Sequence, residues 1–143
     1  MNTNVILSII DKNVPLISNL SNVASAINLN MQNINWVGFY FVGDNELYLG
    51  PFQGEPACTI IRFDKGICGR CFREQKTIIV DNVLEEKDHI ACSSKSRSEI
   101  VVPIFKDDKV VLLLDIDAPI FNRFNEEDRN ELEVICKSIE ELL

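Results

Sequence analysis

Hydrophobic residues recur at helical spacing near both ends of the chain. The first helix is expected to carry Pro15 in its first turn, with Asn13 as its candidate N-cap. Its core-facing stripe is Leu16, Leu20, Val23, Ala24 and Ile27. A last helix over about 125–142 is indicated by Asn125 as N-cap with Asp128 three residues on. Its stripe is Leu132, Ile135, Cys136, Ile139 and Leu142.

Between these helices the pattern changes to short apolar runs separated by turns, which is typical of β-strands. Strands are predicted over residues 36–42, 46–50, 58–63, 77–80 (at a sheet edge), 100–105 and 109–117, with a short glycine-punctuated helix over 66–73. Residues 81–98 are polar, and a loop of about 18 residues in a small domain is usually functional or disordered. The order predicts one α+β domain over 1–143, with an antiparallel sheet of about six strands and helices on one side.

Composition narrows the classes of partner. The net charge of −8 argues against nucleic acid or an anionic membrane surface as the main partner, because both repel an acidic protein. No apolar run approaches the roughly 20 residues of a membrane span. The first residues lack the pattern of a secretory signal, so a reducing, cytoplasmic setting is expected. There, the five cysteines are expected to be catalytic or metal-binding rather than structural bridges.

Cys92 lies in the polar segment, three residues after His89, the chain's one histidine. A cationic neighbour favours the thiolate, so Cys92 is a candidate nucleophile. A loop cysteine without a role is an equally good interpretation of this feature alone, because cysteine often acts as a small hydrophobe.

Cys68 and Cys71 form a Cys-x-x-Cys pair, and Cys58 precedes a predicted strand. Such a pair suits zinc or redox chemistry, but a closed zinc site needs four ligands and no second pair is present. A zinc half-site is the remaining metal hypothesis. Cys136 falls on the apolar stripe of the last helix and is expected in the core.

Two aspartates end the last predicted strand. Asp115 and Asp117 are two residues apart, so both side chains point to the same face, which Val111 and Leu113 are expected to share. Glu99, at the start of the preceding strand, is placed to join them. Burial of such a cluster would raise at least one pKa, whereas a strand end near Pro119 would leave the carboxylates solvated.

Trp36, the single tryptophan, shares a strand face with Gly38 and Tyr40. Core packing is the ordinary role of such a tryptophan. Beside the missing side chain of Gly38, it could instead form the wall of a small pocket.

Several motifs occur in order along residues 33–124, and together they resemble the free methionine-(R)-sulfoxide reductases, which are single GAF domains. The motifs are Trp36-Val37-Gly38-Phe39-Tyr40, Leu49-Gly50-Pro51-Phe52-Gln53-Gly54, Pro56-Ala57-Cys58, Gly66-Ile67-Cys68-Gly69, His89-Ile90-Ala91-Cys92, Ser98-Glu99-Ile100-Val101-Val102-Pro103 and Leu114-Asp115-Ile116-Asp117. The resemblance implies a GAF-like sheet with the N- and C-terminal helices packed on one side.

The resemblance also implies roles for individual residues. Cys92 would be the nucleophile, Cys58 would resolve its oxidised form, and Cys68 would lie at the site and assist. The residues implied to bind the substrate are Trp36, Tyr40, Glu99, Asp115 and Asp117. No cofactor or metal is implied. The implied partners are free methionine-(R)-sulfoxide and thioredoxin or a similar dithiol reductant, with a homodimer left open.

Two positions depart from the family pattern. Leu112 stands where glycine is usual, but by strand alternation it should face away from Asp115. Cys71 replaces a small residue, which makes a disulfide with Cys68 conceivable. The alternative function is a non-catalytic GAF sensor of a small molecule or of redox state, which would be expected to carry an output domain.

Overall fold

A computed structural model of the protein describes residues 1–87 and 94–143. Within them, no helix is both long enough and apolar enough to cross a membrane. The elements are α1 (Thr3–Ser8), α2 (Leu16–Asn30), β1 (Trp36–Val42), β2 (Glu46–Gly54), β3 (Ile60–Arg62), α3 (Gly66–Glu74), β4 (Ile78–Val80), a 3₁₀ turn (Val83–Glu85), β5 (Ser98–Lys106), β6 (Lys109–Ala118) and α4 (Glu126–Glu140).

The strands form one antiparallel sheet in the order β3-β2-β1-β6-β5-β4. β1 and β6 lie at its centre, and β4 is at an edge, as predicted. The α+β class and the six-stranded antiparallel sheet are therefore confirmed. β2 runs four residues further than predicted, to Gly54, and β5 begins at Ser98 rather than at residue 100.

Helices cover both faces of the sheet: α2 and α4 pack on one side, as predicted for the N- and C-terminal helices, and the short α3 covers the other face. Leu112, Leu114 and Ile116 of β6 belong to the core under α2 and α4. Leu113 belongs to a second core, which contains Ile67, Cys68 and Cys71 of α3. The central strands are apolar on both faces, so a second covering element is needed. Leu112 faces away from Asp115, as expected.

A β-bulge in β6 corrects one prediction about side-chain direction. The register of β5 against β6 passes from Ile104–Leu112 to Phe105–Val110, which leaves Val111 as the extra residue. Val111 consequently packs toward the α2 and α4 core, while Val110 takes the α3 side. Val111 therefore does not share the face of the two aspartates, although Leu113 does.

The two long helices begin as their local chemistry requires. α4 has a capping box: the Asn125 side chain accepts from Asp128 N at 2.9 Å, and Asn125 N donates to Asp128 Oδ2 at 3.0 Å. α2 begins at Leu16 with Pro15 as N-cap, so the prediction of Asn13 as cap is wrong. Pro15 has no backbone N–H to donate to the Asn13 side chain. The turn before α2 is held instead by buried Asn19, whose side chain accepts from Asp11 N and donates to Asp11 O, each at 2.8 Å.

Candidate functional site

A cavity of about 40 Å³ lies between the sheet and α3, on the sheet face opposite α2 and α4. Its lining comes from β1, the segment after β2, α3, β5 and β6. The lining residues are Trp36, Tyr40, Glu55, Pro56, Ala57, Ile61, Gly66, Ile67, Cys68, Ser96, Glu99, Asp115 and Asp117.

Strand register brings the three acids together on two neighbouring strands, β5 and β6. Asp117 of β6 lies opposite Trp36 of β1 on one side and opposite Glu99 of β5 on the other. Asp115, two residues earlier, therefore points to the same face, opposite Gly38. The hypothesis that Glu99 joins the aspartates is consistent with this geometry, and the alternative of a fully solvated strand end is not.

The three carboxyl groups are held in a poorly solvated place. Glu99 and Asp115 are 7% and 6% exposed, and Asp117 is half-buried. Burial raises the pKa of Glu99 well above its ordinary value, and the charges of Asp115 and Asp117 raise it further. Burial likewise raises the pKa of Asp115, and burial with the Asp115 charge raises that of Asp117. Such carboxyls keep protons at a pH where exposed ones have lost them.

Two carboxylate oxygens at the cavity have no protein partner. Among the described residues, the buried Oδ1 atoms of Asp115 and Asp117 make no hydrogen bond. A buried polar atom without a partner costs free energy, so this cavity is suited to receive a ligand that carries donors or positive charge.

Aromatic side chains of β1 lie beside the acids in the cavity lining. Trp36 stacks on Phe52 with ring centroids 5.4 Å apart and on Tyr40 at 6.1 Å. Its Nε1–H donates to the Glu55 carbonyl at 3.0 Å, which fixes the indole and the segment after β2.

The space at Gly38 is already filled. A Cβ there would lie 2.5 Å from the Phe52 Cβ and 2.6 Å from the Trp36 ring. Trp36 therefore lines the cavity as expected, but the missing side chain of Gly38 admits the indole and Phe52 rather than opening a pocket.

Tyr40 ties the cavity to the Cys58 segment. Its hydroxyl donates to the Cys58 carbonyl at 3.0 Å. Burial raises the pKa of Tyr40, and the charge of Asp115 raises it further, so the phenol stays protonated and able to donate.

The cysteines occupy different environments. Cys68 lines the cavity, and burial followed by the charges of Asp115 and Glu99 raises the pKa of its thiol. The Cys71 thiol instead donates to the Val101 carbonyl, with sulfur and oxygen 3.7 Å apart. Cys68, Cys71 and Cys136 are free thiols, whereas Cys58 is disulfide-bonded. The conceivable Cys68–Cys71 disulfide is therefore not present.

The possible metal ligands around Cys68 differ from the predicted Cys68–Cys71 pair. The donors near Cys68 are carboxylates: the Cys68 sulfur and one oxygen each of Glu99 and Asp115 lie within 4.8 Å of one another. Cys71 is not part of this group. Cys136 is buried under the opposite sheet face, in agreement with its predicted core position.

The candidate nucleophile Cys92 and its neighbour His89 lie outside the described residues. The segments on either side of the site are joined by an ion pair, because Lys95 Nζ lies 2.7 Å from Glu55 Oε1. Sequence reasoning missed Glu55 and Ser96 as lining residues. The signal available was only their proximity to the matched motifs, Glu55 three residues before Cys58 and Ser96 three before Glu99.

Comparison with known proteins gives the family to which this fold and cavity correspond. A family model described as "GAF domain" matches residues 20–143. The free methionine-R-sulfoxide reductase of Saccharomyces cerevisiae is 41% identical over 137 residues, covering 90% of this chain and 76% of that protein.

Two solved structures are also similar. fRMsr of Staphylococcus aureus in reduced form has a TM-score of 0.94 and 49% identity, covering 99% of this chain and 95% of that one. Free methionine-R-sulfoxide reductase from Neisseria meningitidis, in complex with its substrate, has a TM-score of 0.94 and 39% identity, covering 98% and 84%.

Proposed function

Since the chain belongs to the GAF domain family and, within it, to the free methionine-R-sulfoxide reductases, we propose that it reduces free L-methionine-(R)-sulfoxide to L-methionine. The observation that carries the proposal is the cavity itself, which is lined by one indole and by three poorly solvated carboxyl groups. The indole suits an S-methyl group, and the carboxyls suit a sulfoxide oxygen and an ammonium group.

The first step is attack by the Cys92 thiolate on the sulfoxide sulfur. The oxide is a poor leaving group, so a proton must reach the oxygen as the S–O bond breaks. A carboxyl with a raised pKa, among Glu99, Asp115 and Asp117, supplies that proton. The protonated oxygen leaves as water as the Cys92 sulfur bonds to the substrate sulfur. Water then attacks the Cys92 sulfur and breaks this S–S bond, which releases the thioether of methionine, returns a proton and leaves Cys92 as a sulfenic acid.

The second step regenerates the nucleophile. The Cys58 thiol attacks the Cys92 sulfenic acid, which forms a disulfide and releases water. Support for Cys58 comes from its disulfide-bonded state, in which Cys68, Cys71 and Cys136 take no part because all three carry free thiols. A dithiol such as thioredoxin then reduces the disulfide by exchange and is itself oxidised. Cys68, protonated and at the cavity, assists as a second resolving thiol.

Recognition of the free amino acid follows from charge. Within the described part of the chain, the ionisable groups of the lining are acidic, so carboxylate charge that remains after one proton is placed can hold the substrate ammonium. A peptide-bound sulfoxide has an uncharged amide nitrogen instead. Leaving buried carboxylate charge without a partner costs several kcal/mol, which corresponds to discrimination of roughly a thousandfold or more.

The direct test is consumption of free methionine-(R)-sulfoxide with dithiothreitol as reductant. Cys92→Ser should abolish turnover, because a hydroxyl cannot replace the thiolate at neutral pH. Cys136→Ala removes a thiol from the opposite core and serves as the matched control, with turnover retained. Normal turnover by Cys92→Ser would refute the assignment.

Specificity is tested by comparing kcat/KM for the free R-sulfoxide with that for its N-acetylated, amidated form. Similar values would mean that the acids do not recognise the free amino acid. Peptide mapping after substrate treatment checks the resolving step, where a Cys58–Cys92 pair is expected. Pairing of Cys92 with Cys68 or Cys71 would contradict the choice of Cys58.

A further inference from the structure

One thiol and two carboxyl groups meet at the cavity from three different elements. Cys68 comes from α3, Glu99 from β5 and Asp115 from β6. The Cys68 sulfur and one oxygen of each carboxyl lie within 4.8 Å of one another. The three residues are only 3%, 7% and 6% exposed, so the group is built into the fold rather than gathered on its surface.

Separate observations indicate that this place suits a cation. The Oδ1 atoms of Asp115 and Asp117 are buried without a hydrogen-bond partner among the described residues. Every ionisable side chain that the described residues 1–87 and 94–143 contribute to the cavity lining is an acid, a phenol or a thiol. An ion of positive charge would satisfy the unpaired oxygens and offset the repulsion between the carboxylates.

We propose that Cys68, Glu99 and Asp115 form a three-ligand site for a borderline divalent cation such as Zn²⁺, with a fourth position open to water. A thiolate among the ligands selects against Mg²⁺ and Ca²⁺, which prefer oxygen ligands. In a tetrahedral site, zinc bonds of about 2.3 Å to sulfur and about 2.1 Å to oxygen place sulfur and oxygen about 3.6 Å apart and two oxygens about 3.4 Å apart. Donors that now lie within 4.8 Å of one another must therefore close by up to roughly 1 Å or a little more, which side-chain rotation can supply.

The proton balance follows from the state of the ligands. The thiol and any protonated carboxyl must lose their protons before they bind the metal, and these protons go to solvent. One Zn–S and two Zn–O bonds form, and no atom changes oxidation state. The ion would occupy the cavity that the proposed substrate needs, so Zn²⁺ should compete with methionine sulfoxide. That competition rests on the proposed function, whereas metal binding itself does not.

The test is titration of the full chain with Co²⁺ as a spectroscopic probe. The protein is kept oxidised, so that Cys58 stays in its disulfide and cannot supply a thiolate. A thiolate-to-cobalt charge-transfer band is expected on binding, and addition of Zn²⁺ should remove it by displacement. Absorbance reports binding whether or not the protein turns over substrate, so failure here is distinguishable from failure of the proposed reductase activity.

Cysteine variants assign the band to one thiol. Cys68→Ser should abolish it, because a hydroxyl is not ionised by the metal as readily as a thiol. Cys71→Ser is the matched control: it removes a buried thiol one helical turn away that donates to Val101 and lies outside the cluster. Its band and metal affinity should match wild type.

A carboxyl variant supplies a second measurement if Cys68→Ser disturbs the fold. Asp115→Asn should keep the band but weaken Co²⁺ binding by more than the roughly 10–100-fold that loss of an outer-shell partner costs. Circular dichroism of each variant checks folding. Absence of a charge-transfer band in the wild type, or a band that survives Cys68→Ser, would overturn the site. Unchanged affinity in Asp115→Asn would overturn it as well.

Discussion

The two faces of the central sheet differ in the kinds of side chain that the same strands place on them. On β6, Leu112, Leu114 and Ile116 enter a hydrophobic core under α2 and α4. The alternate residues Asp115 and Asp117 enter the α3 side, where acids, a thiol and a cavity lie among apolar neighbours. One ten-residue strand therefore serves a scaffold on one face and a site on the other. Substitutions at neighbouring residues of β6 should therefore affect different properties, catalytic activity on one face and stability on the other.

The largest effect is expected for Asp117→Asn. The substitution keeps the side-chain shape but removes a proton donor and a charge, so kcat/KM for free methionine-(R)-sulfoxide should fall by about 10²–10⁴-fold. Stability should be maintained, because a buried carboxyl is replaced by a neutral group. Asp107→Asn, in the exposed β5–β6 turn, is the matched control with unchanged kinetics. Equal activity of the two variants would contradict the division between faces.

Ile116→Ala should show the opposite behaviour. Ile116 lies between the two aspartates in the sequence, but its side chain is fully buried in the core under α2 and α4. Its truncation should lower the free energy of unfolding by about 2–5 kcal/mol through lost burial and a cavity. Urea unfolding measures that loss, while kcat of the folded protein should stay near wild type. A loss of kcat comparable to that of Asp117→Asn would show that the two faces are not separable.

The pH dependence of stability should also arise on the α3 face. Glu99 has its pKa raised above 4.5, so between that pH and its folded pKa the native state holds a proton that the unfolded chain has lost. The native state binds more protons there, and the free energy of unfolding falls as pH rises, by up to about 1.4 kcal/mol per pH unit for one group. Glu99→Gln should make this slope shallower in urea titrations at a series of pH values. Identical slopes for wild type and variant would contradict the shift.

The smallest effect concerns the scaffold alone. Asn125→Ala removes the α4 cap that accepts from Asp128 N, which should cost about 1 kcal/mol of stability. The α4 cap lies outside the cavity lining, so kcat and KM should not change. Thermal unfolding with parallel kinetics tests both statements. A changed KM would extend the site to the α4 side.

Local patterns carried much of the fold. β1 has the predicted bounds, and the α4 cap and the stripe as far as Ile139 follow from Asn125, Asp128 and the helical spacing. Leu142, predicted on the same stripe, lies beyond the end of α4 at Glu140. The ordered motifs identified the family, which supported the nucleophile role already considered for Cys92 and alone suggested the resolving role of Cys58. The α1 helix was not predicted, since its six residues carry too short a pattern to be distinguished from a loop.

Other features required the assembled sheet. Alternation placed Asp115 and Asp117 on one face, but only the β5–β6 register placed Glu99 beside them, because strand pairing joins residues distant in the chain. The bulge at Val111 reverses the side-chain alternation before Leu112, so Val111 does not share the face of the aspartates. Local sequence carries no signal for this bulge. The Cys68 thiol lies near Glu99 and Asp115 because of how α3 packs on the sheet. The sequence of this nine-residue helix does not show which distant residues it will contact. Local sequence thus indicated most of the elements and supplied the reactive groups, whereas the pairing of strands and the packing of α3 brought those groups into one cavity.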